Sequence, residues 1–223
     1  MAITRSERQF WNSPDITRYF ESKPADPRIV AFMEHFTETH PHARVLDLGC
    51  GGGRHSELLA SLGHLVTSVD VNPGMLVATH ARLDSLGLVA DIHEGSILAI
   101  PADNEVFDIV VTTGVLHQAN TIEEYVRALE ELARVTKPSG FVLLNIFTNK
   151  AWDDTYTVTS PDGYSVLTQE GLPQTLLPRE TFVSMMDAVD FELASDQGEE
   201  VKQENTGSRA VFRAFFQKRD KAL

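Results

Sequence analysis

The chain has 223 residues, 42% hydrophobic and 23% charged, enough apolar material for a folded core at the size of one α/β domain with additions. No run approaches the ~20 apolar residues of a membrane span, and the N-terminal MAITRSERQFWNS has no apolar segment of the secretory type. The net charge of −13 opposes contact with phosphate backbones and favours a small molecule or a protein as partner.

Ser13-Pro14-Asp15 and Ala25-Asp26-Pro27 predict two helix starts, with proline near the first turn. The second leads into RIVAFMEHF, where Ile29, Phe32, Met33 and Phe36 recur at helical spacing. From residue 43 to 147 strands and helices alternate. ARVLDL is a strand, and GGRHSELLASLG is a helix ending at Gly63. HLVTSVD is a strand, NPGMLVATHARLDSLG a helix, and LVADIHEG a strand. VFDIVVTTG is almost wholly apolar, the pattern of a strand buried on both faces. TIEEYVRALEELARVTKPSG is a long amphipathic helix, capped by Thr121 with Glu124 three residues on, and GFVLLNIF is another buried strand. Strict alternation predicts a parallel, doubly wound sheet. Beyond 148 the segment NKAWDDTYTVTSPDGYSVLTQEGLPQT is polar, aromatic and turn-rich, and loops of that length are usually functional covers or disordered. LPRETFVSMMDAVD reads as a helix, and FELASDQGEE with SRAVFRAFFQKR as a terminal antiparallel hairpin. The expectation is one domain: a helical cap (1–42), a cofactor-binding core (43–147), a lid-like insertion (148–178), and a final helix and hairpin (179–223).

VLDLGCGGGRH, residues 45–55, sits between a strand and a helix of the first βαβ unit, the context in which a glycine loop meets a nucleotide. Asp70 ends the next strand about twenty residues on, where an acid accepts from ribose hydroxyls. A dinucleotide fingerprint needs a third glycine where Arg54 stands. Asp47, two residues before the loop, disfavours a pyrophosphate and favours a cationic ligand. Cys50 is the one cysteine. It permits no intrachain disulfide, suits a reducing cytoplasm, and reads as a small spacer in the loop rather than a nucleophile.

Asp47-Leu48-Gly49-Cys50-Gly51-Gly52-Gly53 resembles the first motif of class I S-adenosylmethionine-dependent methyltransferases. GSILAIPADNEVFD (95–108), TTGVLH (112–117) and VTKPSG (135–140) resemble later motifs in the same order. The resemblance spans roughly residues 40–147 and implies a seven-stranded, mostly parallel sheet with a reversed last strand. It also implies the cofactor S-adenosyl-L-methionine and the product S-adenosyl-L-homocysteine. At matched positions, Asp47 and the backbone at Gly49 and Gly51 would hold the methionine end, with Cys50 in the same loop. Asp70 would take the ribose, Val71, Ser96 and Ile97 would meet the adenine, and the backbone near Thr113 would hold the ammonium. Ser96 departs from the aspartate common at its position; it is neutral, and charge-assisted bonds are roughly twice as strong.

Methyl transfer from a sulfonium is an in-line displacement in which the protein mainly positions the acceptor. Where a proton must leave, histidine is the usual base. His117, just after the fourth core strand, is the expected catalytic residue, either as base or as a wall of the pocket; Tyr19 of the cap is expected to act beside it, and Trp11 to contact the cofactor. His55 would orient the loop. His40 and His42 form H-x-H without further ligands, a weak metal signal, so no metal is expected, and Asp153-Asp154 reads as a solvated loop. Phe10, Trp11, Tyr19 and Phe20 in one added segment, and Trp152, Tyr156 and Tyr164 in the other, predict a closed pocket for a small, partly apolar substrate.

These readings converge on a cytoplasmic enzyme, monomer or homodimer, methylating O, N or S of a small metabolite, with no nucleic acid or membrane partner. The alternatives are methylation of a protein or tRNA, a non-catalytic cofactor-binding module, and a nicotinamide-binding protein.

Overall fold

Proline at the first helical turn starts both leading helices, α1 (Pro14–Glu21) and α2 (Pro27–Thr39). The Asp26 side chain caps α2 by accepting from the Arg28 N–H at 2.9 Å. The computed structural model describes residues 9–151, 154–204 and 207–220. Strand β1 (Arg44–Leu48) follows, then helix α3 (Arg54–Ser61), β2 (Leu65–Asp70), α4 (Pro73–Ser85), β3 (Asp91–Glu94) and β4 (Phe107–Thr113). A single 3-10 turn, Leu116–Gln118, leads to α5 (Ile122–Val135) and β5 (Thr136–Thr148). Three short strands come next, β6 (Thr157–Val158), β7 (Ser165–Leu167) and β8 (Pro173–Thr175). Helix α6 (Arg179–Ala188) and the strands β9 (Phe191–Glu204) and β10 (Gly207–Lys218) complete the chain.

The main sheet has seven strands in the order β3-β2-β1-β4-β5-β10-β9. The first five are parallel, and β10 runs antiparallel to both β5 and β9. This is the doubly wound sheet with a reversed strand that the alternation and the resemblance predict.

Period-2 alternation sends neighbouring side chains to opposite faces, and each face is apolar. On one, Val110, Val142, Leu144, Phe212 and Phe216 pack with Tyr125, Leu129 and Leu132 of α5 and Phe182 of α6. On the other, Ile109, Val111, Leu143 and Phe215 pack with Ile29 and Met33 of α2 and Leu59 of α3. A fully buried side chain of this size contributes about 1.5–3 kcal/mol, so both helical layers are held by burial, and the polar carboxyl edge of the sheet is left to bind.

Two local expectations are corrected. The helix read through VTKPSG stops at Val135, and β5 begins at Thr136. Lys137–Gly140 bulge out between β4 and β5, with Ser139 at a left-handed φ of 59°. Pro138 cannot continue the helix, and a Cβ at Gly140 would lie 2.9 Å from the Asp108 carbonyl. The insertion read only as turn-rich forms an antiparallel three-stranded sheet, β6-β7-β8. It is built around Val166, paired with Val158 and Gln174, where a short β-branched core suffices for pairing. Trp152 and Asp153 lie outside the described residues. No described helix is long and apolar enough to cross a membrane.

Candidate active site

The glycine loop bends off the end of β1 because Gly49, Gly51 and Gly53 all take positive φ (71°, 54° and 76°), the region that glycine enters without steric cost. The N–H groups of Gly49 and Cys50 both donate to the Val69 carbonyl, at 2.7 and 3.0 Å, which ties the loop to β2. A Cβ at Gly51 would meet nothing within 4 Å, whereas one at Gly49 would lie 2.3 Å from Val115 and one at Gly52 2.8 Å from the Glu21 backbone. Gly51 therefore faces open space, Gly49 is walled by the loop after β4, and Gly52 admits the end of α1.

Asp70 closes the arrangement from β2. Its Oδ2 accepts from the Gly51 N–H at 3.0 Å, and its Oδ1 accepts from the Asn72 N–H and side-chain amide at 2.9 and 3.1 Å. An ionised carboxylate has about four acceptor sites, so these three bonds leave capacity for a ligand hydroxyl. Burial raises its pKa against those same bonds.

The loop opens onto a cavity of about 820 Å³. Of the residues singled out in the sequence, Trp11, Tyr19, Gly49, Cys50, Gly51, Asp70, Val71, Ser96, Ile97, Thr113 and His117 all line it. Ser96 uses its hydroxyl to accept from the Leu98 N–H at 3.1 Å. Cys50 is buried with its Sγ 3.5 Å from the Thr79 hydroxyl, and burial pushes its thiol well above the ordinary range, against the thiolate form.

Asp47 is the exception. It is 2% exposed and lies behind the loop, accepting from the Ser56 hydroxyl at 2.6 Å; that hydroxyl is in turn 2.8 Å from Ser68. Its carboxylate contacts the helix α3 side of the loop and not the cavity wall. Burial pushes its pKa up to about 6, against the Ser56 bond and the Arg54 charge. A carboxyl whose folded pKa exceeds its unfolded one keeps its proton longer when folded, so stability is lost as pH rises from about 4 to about 6. Asp47→Asn is expected to remove this dependence, gaining on the order of 2–3 kcal/mol over the parent between pH ~4 and pH ~7. Urea unfolding at the two pH values measures it; parallel curves for parent and variant would acquit Asp47.

The cap is docked on the loop by side chains that span the fold. His55 Nε2 accepts from the Asp26 N–H at 3.2 Å, Arg54 donates to the Pro24 carbonyl at 3.3 Å, and Arg82 donates to the Glu21 carbonyl at 2.7 Å. Asn12 accepts from the Gly74 N–H at 2.7 Å. Phe10, Trp11 and Phe20 form an edge-packed aromatic wall, with Tyr19 against Phe20 and the Lys23 ammonium 4.2 Å from the Tyr19 ring centre. Tyr19 is 49% exposed, the rim rather than the depth of the cavity. The small sheet and its β7–β8 turn contribute Thr168, Leu172 and Gln174 to the same lining.

His117 is fully buried. Its ring stacks on Phe147 with centroids 4.0 Å apart, and its Nδ1 accepts from the Phe147 N–H at 3.2 Å. Burial and the Arg209 charge pull its pKa down to about 3, so the ring is neutral and carries its proton on Nε2. Of the two roles expected for His117, base or pocket wall, this geometry favours the wall: the lone pair on Nδ1 accepts from the backbone, and Nε2 is left as a donor. His55 is equally unsuited as a base, pulled down to about 3 by burial with its Nε2 committed to Asp26.

Cavity residues that escaped the sequence reading include Arg54 as more than a loop residue, Lys202, Asn120, Gln174, Asn145, Arg209 and Arg213. Arg54 donates to the Thr113 hydroxyl at 3.3 Å, placing a guanidinium between loop and β4. The alternation R-x-V-x-R in β10 was the available signal for the last two. The H-x-H histidines are occupied elsewhere: His40 stacks on Phe36 at 4.3 Å and His42 Nδ1 lies 2.9 Å from the Gly63 carbonyl. Asp154 is exposed.

A family profile described as a methyltransferase domain matches residues 46–144. A ubiquinone biosynthesis O-methyltransferase of Azorhizobium caulinodans is 30% identical over 102 residues, covering 46% of this chain and 39% of that one. The chain thus spans well under half the length of that curated relative. A solved S-adenosylmethionine-dependent methyltransferase of Methanosarcina mazei superposes with TM-score 0.70 at 20% identity, over 89% of this chain and 100% of that one. The 1,6-didemethyltoxoflavin-N1-methyltransferase of Burkholderia thailandensis, solved with its substrate and S-adenosylhomocysteine, superposes with TM-score 0.67 at 18% identity, over 96% of this chain and 88% of that one.

Proposed function

We propose, from the match of residues 46–144 to a methyltransferase-domain family and from the shared fold, that this chain transfers a methyl group from S-adenosyl-L-methionine to a small molecule bound in the same cavity. The observation that carries the reading is the meeting, in one cavity, of the open backbone at Gly51 with the Asp70 carboxylate, under covers from two added segments.

The residues present fit the cofactor. The free acceptor capacity of Asp70 suits the ribose hydroxyls, and Val71, Ser96 and Ile97 form the adjoining wall for the adenine. The Gly49–Gly51 backbone, the strand end at Thr113 and the Arg54 guanidinium suit the methionine end, the last as a partner for its carboxylate. Asp47 supports the loop from behind through Ser56. When bound, the cofactor supplies an activated methyl on a sulfonium. The chain's own task is then to orient an acceptor in line and to exclude water, with the cap aromatics and Thr168, Leu172 and Gln174 in the cavity lining. A cavity of about 820 Å³ lies within the ~300–1,000 Å³ of small-molecule sites, which favours a metabolite over a folded macromolecule. The O-methyltransferase named above supports an oxygen acceptor, and the toxoflavin enzyme a nitrogen.

Calorimetry of the purified chain with S-adenosylhomocysteine and with NAD tests this. We expect one-site binding of the former and binding of NAD weaker by roughly 100-fold, about 2.7 kcal/mol. NAD binding with no response to S-adenosylhomocysteine would overturn the proposal.

A further inference from the structure

The acceptor end of the cavity has a chemistry of its own. On β10, Arg209, Val211 and Arg213 alternate onto one face, and all three line the cavity. On β5, Asn145 pairs with Arg213 and Phe147 with Val211, and on β9, Lys202 pairs with Arg209. The same face continues downward into Phe215, which packs on Phe32 of α2 at 5.2 Å. Three cations therefore stand where this sheet face leaves the core and meets the cavity, in a chain whose net charge is −13. Arg213 is anchored there by Glu200 at 2.6 Å and Asp26 at 3.7 Å, and Glu200 also lies 3.2 Å from Lys202, so two carboxylates offset part of the charge of the three cations; the Arg209 guanidinium lies 5.3 Å from the centre of the Phe147 ring on which His117 stacks.

His117 adds a donor. Its Nε2 is buried and has no hydrogen-bond partner among the described residues. A buried donor left unpaired costs about 1–3 kcal/mol, a cost that a ligand acceptor would relieve. Two acceptors on other cavity-lining residues are also buried and unpartnered among the described residues, Asn120 Oδ1 and Gln174 Oε1. No histidine in the cavity is free to take a proton. Of the cavity carboxylates, Asp70 is bonded to the loop, Glu124 accepts from the Asn120 N–H at 3.0 Å, and Glu170 sits exposed in the turn after β7.

Building on the methyltransferase reading, we propose that the acceptor is a small oxygen acid, a carboxylic acid or acidic phenol, which binds and is methylated as its oxyanion, with Arg209, Arg213 and Lys202 forming the cationic wall and His117 Nε2–H donating to a second acceptor atom of the substrate. Asn120 and Gln174 accept from N–H or O–H groups on the same molecule. The chemistry balances without a base: an oxygen lone pair forms the O–CH3 bond as the S–CH3 bond breaks, its electron pair stays on sulfur to give the neutral thioether, and no proton moves. His117 is a positioning donor.

The test uses the full chain saturated with S-adenosylhomocysteine and calorimetry with four probes of one shape family: benzoate, 4-nitrophenolate, benzamide and benzylamine. One or both oxyanions should bind at least about tenfold tighter than benzamide, a difference of about 1.4 kcal/mol, and benzylamine should bind weakest; which oxyanion leads tells a carboxylate acceptor from a phenolate one. Arg209→Gln, and the exposed Lys202→Gln should the first fail to fold, should each erase several-fold of that preference. Nitrogen-15 correlation spectra of the imidazoles should show His117 as the Nε2–H tautomer. Benzamide or benzylamine binding as well as the oxyanions, absence of binding by all four, or an Nδ1–H tautomer would overturn the proposal. Failure to bind S-adenosylhomocysteine would instead sink the cofactor reading on which it rests.

Discussion

Asp70→Ala is expected to weaken S-adenosylhomocysteine binding about 100-fold, about 2.7 kcal/mol. Two losses combine. A hydrogen bond to a charged group contributes about 1.5–3 kcal/mol, and the variant forfeits the one that the spare acceptor capacity of Asp70 would give to a ribose hydroxyl. It also frees the Gly51 N–H, which the carboxylate holds at 3.0 Å, so the loop backbone must be ordered again by the ligand. Asp70→Asn separates the two, because its amide oxygen keeps an acceptor while the charge is gone; its loss should be smaller, about tenfold. Calorimetry of both variants checks this, with urea unfolding to confirm that each is folded. Parent-like affinity in Asp70→Ala would show that the carboxylate does not touch the cofactor.

Phe182→Ala is expected to lower folding stability by about 3–5 kcal/mol, the range for removing a buried aromatic ring. Phe182 is fully buried on α6. Its ring centre is 6.1 Å from Tyr125, 6.3 Å from Phe212 and 5.8 Å from Phe216, all edge-on. The three partners come from α5 and β10, so the ring joins the helical layer to the reversed strand. Because Phe212 and Phe216 alternate with Arg213 across the strand, a cavity at Phe182 loosens the support of the cationic wall while leaving β1, β2 and the glycine loop untouched. Urea denaturation measures the stability loss, which is expected with S-adenosylhomocysteine affinity changed less than about threefold under folding conditions. A loss below about 1 kcal/mol would mean that the core collapses to fill the site.

Much of the architecture is legible in short windows of sequence. The helix starts at Pro14 and Pro27, the Thr121 cap that accepts from the Glu124 N–H at 3.2 Å, and the doubly buried strand Phe107–Thr113 each depend on residues within one turn or one strand. The insertion was harder. Thr157–Val158 and Pro173–Thr175 are too short for a period to show, and they become strands only because Val166 and its neighbours lie between them.

The site divides in the same way. Gly49, Gly51 and Asp70 come together because β1 and β2 are adjacent parallel strands whose carboxyl ends share an edge, so a spacing of about twenty residues along the chain is also a distance in space. That much the amino-acid order determined by itself: the fold, the glycine loop and the acid facing it. Only the tertiary structure decided that Asp47 turns to Ser56, that the Phe147 N–H takes the Nδ1 lone pair of His117 and leaves a donor in place of a base, and that Arg209 and Arg213 reach the cavity from the end of the chain. Proton position and charge placement depend on which distant groups a side chain meets once packed, and those partners lie in other strands and helices, beyond the reach of any local pattern.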